Sequence, residues 1–95
     1  MSEEIDANLL KVLDVNGYRE IRRLPTGEIA GLMRFLFTTG LCVGLDDSGY
    51  RTRFCFDGWN DAAQSLDAWD GRGFPPGWWI KQKPENVSNP LRNSA

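Results

Sequence analysis

The stretch from Leu41 to Asp70 constrains this chain more than any other, because it reads as a β-hairpin running straight into a helix. Leu41, Val43 and Leu45 alternate with Cys42 and Gly44, the period of a strand with two different faces. Asp46-Asp47-Ser48-Gly49 is a run of turn-forming residues. Tyr50, Thr52, Phe54 and Phe56 then alternate with Arg51, Arg53 and Cys55. A four-residue loop sets Leu45 opposite Tyr50, Val43 opposite Thr52 and Leu41 opposite Phe54, so the apolar residues share one face. A slip of one residue would set Arg51 and Arg53 beside Leu41 and Val43, which the cost of burying charge opposes. The other face then carries Gly40, Cys42, Gly44, Arg51, Arg53 and Cys55.

The helix is expected after Asp57, whose carboxylate suits an N-cap and the positive end of the helix dipole. Trp59, Ala62, Ala63, Leu66 and Trp69 form one apolar stripe, with Asn60, Asp61, Gln64, Ser65 and Asp67 on the wet side. Gly71 and Gly73 end it, and Pro75-Pro76 forbids its resumption.

Upstream, residues 3–14 read as a helix. Ser2 is placed to cap it, Glu3 and Glu4 suit its first turn, and Ile5, Leu9, Val12 and Leu13 make its apolar edge. Residues 18–24 read as a charged edge strand, carrying Arg19, Glu20, Arg22 and Arg23. Residues 28–37 read as a long strand apolar in both rows, the mark of the central strand or of one covered in part on both faces. After the second helix, Trp78-Trp79-Ile80 leads into Lys81-Gln82-Lys83 as a short strand or an extended clamp over the core. The fold class expected is α+β: an antiparallel β-meander of three to four strands, with an N-terminal and a C-terminal helix packed on one face. Residues 1–83 make a single domain and residues 84–95, polar and without pattern, a disordered tail.

A chain of 95 residues can hold one modest core, burying roughly 60–65 % of the unfolded chain's surface. Its start is acidic and amphipathic, unlike a signal peptide, and no apolar run approaches the ~20 residues of a membrane span. Cys42 and Cys55 sit diagonally on adjacent strands, a poor geometry for a disulfide. Two free thiols point to the cytoplasm.

Catalysis has little to work with. The chain has no histidine, which removes the commonest general base and the Ser-His and Cys-His pairs. It has no Gly-rich phosphate loop, and two cysteines without histidine do not make a zinc site. Asp46, Asp47 and Asp57 are explained by a turn and a cap. The expectation is a protein that is not an enzyme and has neither cofactor nor metal.

Charge is unevenly placed. Residues 1–17 carry −3, residues 18–56 carry +2, residues 57–73 carry −3 and the remainder +2, for a net charge of −2. Acidic helices on one face would leave a basic sheet on the other. Arg51 and Arg53 would project from it over Gly40 and Gly44 as a flat floor, with Arg22, Arg34, Lys81 or Lys83 extending the strip. That suggests nucleic acid, yet the isoelectric point of about 5.0 is far from that of a dedicated binder. Trp78 and Trp79 point opposite ways in an extended segment, so one of them is exposed beside lysines, as in a protein-binding hot spot.

Residues 28–70, with RTRFCF leading into WNDAAQSLDAW, resemble the three-stranded AP2-like and integrase arm-type DNA-binding domains, although this chain lacks their strong basic charge. That resemblance implies a sheet laid on DNA with a helix behind it. Separately, RFLFTTGLCVGLDDSGYRTRFCF with LDAWDGRGFPPGWWIK resembles short hypothetical proteins of bacteria with no assigned function. It implies a bacterial origin and no mechanism. The sequence reading is therefore a small non-catalytic binding module. Its partner is another protein, met through the open sheet face or the Trp78–Lys83 segment. Nucleic acid on the arginine face is the alternative. A compact acidic domain of this size equally fits an inhibitor of a host protein encoded by a phage or mobile element.

Overall fold

The computed structural model describes residues 5–93. Helix α1 (Ala7–Val15) starts at Asp6, whose carboxylate accepts from the backbone N–H groups of Asn8 and Leu9, both at 3.1 Å. The cap is thus an aspartate several residues beyond the expected start. Ser2, Glu3 and Glu4 lie outside the described residues. Strands β1 (Arg19–Arg23), β2 (Ile29–Arg34), β3 (Thr39–Val43) and β4 (Thr52–Phe56) follow, then helix α2 (Trp59–Ala68), β5 (Lys81–Lys83) and β6 (Val87–Ser88). The six strands pair in chain order as one antiparallel meander, two more than the sequence reading allowed. A short 3-10 turn, Pro90–Asn93, closes the described chain.

The central hairpin has the expected register: Leu41 faces Phe54 and Val43 faces Thr52. Their face joins Ala30, Leu32 and Phe56 to Ala62 and Leu66 of α2 and to Trp69 just beyond it, with Trp79 in the same cluster. The opposite face gathers Ile29, Cys42 and Leu45 with Leu13 of α1 and Tyr18. The helices therefore cover opposite faces of the sheet, not one face. The two apolar rows of β2 fit this, since Ile29 is claimed by one layer and Ala30 by the other.

Leu45 and Tyr50 break the hairpin's alternation. Both belong to the α1 side, although Val43 and Thr52 face α2. Gly44 supplies the reason with φ +75°, a left-handed conformation that reverses which way the next residue points. The Leu45 N–H then donates to the Ile29 carbonyl at 3.0 Å.

Helix α2 begins at Gly58, which has extended backbone and makes no side-chain cap. Asp57, the expected cap, instead lies 3.9 Å from the Arg92 guanidinium. Trp79 is fully buried. Its ring meets Phe54 edge-on at 5.0 Å and its Nε1 donates to the Pro75 carbonyl at 3.1 Å.

The chain beyond Pro84, expected to be a disordered tail, carries structure as far as Asn93. Asn89 is 2 % exposed. Its amide donates to the carbonyls of Gly77 (3.1 Å) and Trp79 (2.9 Å), and its Oδ1 accepts from the Leu91 N–H. That one side chain fastens β6 and the 3-10 turn to the loop before β5. Among the described residues no helix is long and apolar enough to cross a membrane.

Candidate binding surface

The basic strip expected from sequence does not form as one surface. Arg22 reaches Asp67 of α2 and Glu20, and Arg34 stacks 4.8 Å from the centre of the Trp59 ring. Both lie on the α2 side of the sheet, because Arg22 pairs with Ala30 and Arg34 with Thr39. Arg51 is held at 2.7 Å by Glu28. Of the adjacent tryptophans, Trp78 is 59 % exposed and Trp79 belongs to the core.

Three of the expected residues do come together. Arg53 stands directly opposite Lys83, and Lys81 directly opposite Cys55, so all three cations share the sheet face that Cys42 occupies. Helix α1 packs over the β2–β3 half of that face, where Leu13 meets Ile29 and Cys42. The cluster that joins α1 to this face includes no residue of β4 or β5. Among the described residues no carboxylate pairs with Arg53, Lys81 or Lys83; the ion pairs there use Arg19, Arg22, Arg51, Arg72 and Arg92. Like charges directly opposite across a strand pair are unfavourable.

The two glycines are not the empty floor the sequence suggested. A Cβ on Gly40 would lie 2.5 Å from Phe35 Cε2 and 3.0 Å from Arg53 Cδ, and one on Gly44 would lie 2.7 Å from the Arg51 Cβ. The protein's own side chains fill those places. Phe35 lies over Gly40 and carries the Arg53 guanidinium at 4.1 Å from its ring centre, with the Tyr50 ring at 5.7 Å. Arg53 Nε is buried there without a hydrogen-bond partner. Arene faces take over part of the hydration of the guanidinium, a cation–π contact. Beneath them, burial pushes the Cys42 thiol up to about 12, outweighing the opposing pull of Arg53. A thiol so held stays protonated near neutral pH and is no nucleophile. Among the described residues no three His, Cys, Asp or Glu side chains gather as a metal site.

One feature escaped the sequence reading. Strand β2 stops at Arg34, and the expected continuation to Phe37 is the tip of the β2–β3 hairpin, closed by the Phe35 N–H donating to the Thr38 carbonyl at 2.8 Å. Leu36 and Phe37 are 87 % and 86 % exposed there. A groove of about 390 Å³ separates this tip from the start of α2, with Arg34, Asp57 and Trp59 on its walls. Thr39 pairs with Phe56, which brings Asp57 to the same end of the sheet. Arg92 links that end to Trp78: its Nη1 donates to the Trp78 carbonyl at 2.9 Å, and its guanidinium lies 5.9 Å from the ring. The cue for the tip was Thr38-Thr39-Gly40, but alternating apolar residues read the same in a strand and in the turn that ends it.

The chain matches no protein-family model, no curated protein and no solved structure.

Proposed function

We propose that this protein is a small non-catalytic module that binds another protein through the end of its sheet formed by the β2–β3 tip, the start of α2 and Trp78. The observation that carries this reading is the pair Leu36 and Phe37, held by a closed turn and turned almost wholly to water. Burying a Leu or Phe side chain is worth about 1.5–3 kcal/mol, and this fold takes none of that from either residue. A third large apolar side chain, Trp78, stands exposed and is linked to Asp57 at that end through Arg92. Tryptophan and arginine are the residues that most often dominate the energy of protein interfaces.

Nucleic-acid binding has less support. Arg22, Arg34 and Arg51 are engaged elsewhere on the molecule. The rings beside Arg53 stack on its guanidinium, where a base would need them.

The test is photo-crosslinking in cells of the native host, with a photoreactive phenylalanine analogue at position 37 and a matched probe at Asp47, exposed in the β3–β4 turn at the opposite end of the sheet. The expected result is a discrete adduct from position 37 that disappears in a Leu36→Ser background. Identical adducts from both positions, or none from position 37, would overturn the reading.

A further inference from the structure

We infer that the partner presents an extended acidic segment, with carboxylates at every second residue, to the Arg53–Lys81–Lys83 face. This rests on the protein-binding reading above and names the chemistry that completes its surface. Lys81 and Lys83 are two residues apart on β5, which places them about 6.6 Å apart along the strand. Arg53 stands opposite Lys83, with Cβ atoms about 4.5–5.5 Å apart. An extended peptide laid along β5 repeats its side chains on one side with the same two-residue period, so carboxylates at alternate positions meet both lysines in register. Arg53 adds a planar fork of donors suited to a carboxylate, held in place by Phe35 and Tyr50.

Charge and continuity both favour this occupant. The three cations lack carboxylate partners among the described residues, Lys83 Nζ donating only to the neutral Asn86 Oδ1, and two of them stand as like charges across the strand pair. An anionic ligand would relieve that repulsion. Phe35, which carries Arg53, is followed in the chain by Leu36 and Phe37 of the apolar tip. A segment that is acidic along β5 and apolar at one end would cover both. A nucleic acid would meet three cations on a protein of net charge −2, with the two rings beside Arg53 already stacked on its guanidinium.

The experiment is an amide and side-chain NMR titration of the full chain with three synthetic probes. One is a capped peptide of alternating Glu and Ser ending in Leu; the second has the same composition with its Glu residues contiguous; the third is a short oligothymidylate. The expected result is saturable shifts at Arg53, Lys81 and Lys83 with the alternating peptide, about tenfold weaker with the contiguous one. In Lys81→Glu/Lys83→Glu those shifts vanish and an alternating Lys peptide binds instead. Both positions are half-exposed, so the folded spectrum is expected to persist. Arg53→Gln is the second variant, retaining bulk while removing the fork. Silence with the alternating peptide, equal response to both peptides, or tighter binding of the oligothymidylate would each overturn the inference. The position-37 crosslink reports separately on the protein-binding reading, which stands if the adduct forms while the acidic peptide is silent.

Discussion

The Arg53 guanidinium stacks 4.1 Å from the centre of the Phe35 ring, across a backbone position where no side chain larger than glycine's fits. Gly40 pairs with Cys55 on β4 and with Met33 on β2. Its missing Cβ leaves the space that the Phe35 ring takes. Gly40→Ala is therefore expected to destabilise the protein by about 1–3 kcal/mol, the cost of overpacking a filled site. It should also free Arg53 from the ring. A lowered urea midpoint, with altered Phe35 and Arg53 side-chain resonances, would show it; an unchanged midpoint would refute it.

Cys42 predicts alkaline lability of defined sign. Burial holds its thiol protonated to about 12, against an ordinary value of 9.0. The unfolded chain therefore loses that proton first. The thiol's contribution to stability is complete below about pH 9 and is lost as pH rises through 12. The Tyr18 phenol, also raised chiefly by burial, acts in the same direction above 10. Stability measured from pH 8 to 12 should fall less steeply in Cys42→Ala than in the wild type. In the native protein at pH 8, Cys42 should resist thiol reagents until denaturant is added.

Asn89 joins residues that the sequence reading assigned to separate regions. Asn89→Ala would leave the Gly77 and Trp79 carbonyls without the amide that serves them. The expected loss is about 1–3 kcal/mol. Removal of residues 84–95 should cost at least as much and should expose the Trp79 ring, visible as a red-shifted emission. A disordered tail would leave both measurements unchanged.

Helix α2 offers a gain. Gly58 has φ −141° and ψ 165°, backbone that suits an N-cap, and a Cβ built there meets nothing within 4 Å. Gly58→Ser should add a few tenths of a kcal/mol by accepting from an unpaired N–H of the first turn. Thermal unfolding would read it as a small rise in midpoint.

The parts legible in the sequence are those whose patterns repeat locally. The alternation of Leu41 and Val43 against Thr52 and Phe54 sets the hairpin register, since a one-residue slip would bury arginines. The stripe of Ala62, Leu66 and Trp69 marks the buried side of α2. The candidate surface was legible only in pieces. Arg53, Lys81, Lys83 and Trp78 were singled out, while Arg22, Arg34 and Arg51 turn out to have partners elsewhere. Leu36 and Phe37 looked like strand residues and stand on a hairpin tip.

By itself, then, the sequence determined the order and inner faces of the long elements, because hydrophobic periodicity is a local property of consecutive residues. Tertiary structure alone decided three things. An amphipathic helix shows which of its sides is apolar but not which face of a sheet will take it, so α1 and α2 settle on opposite faces only when β2 demands cover on both. Strands of three and two residues carry no period, so the β4 edge decides that Lys81–Lys83, readable as a strand or a clamp, is a strand, and β6 exists because β5 offers an edge and Asn89 a fastening. And a charge's availability depends on its neighbours in space: Arg51 finds Glu28 across the sheet, whereas Arg53, Lys81 and Lys83 gather on a half-face where no carboxylate of the described chain meets them.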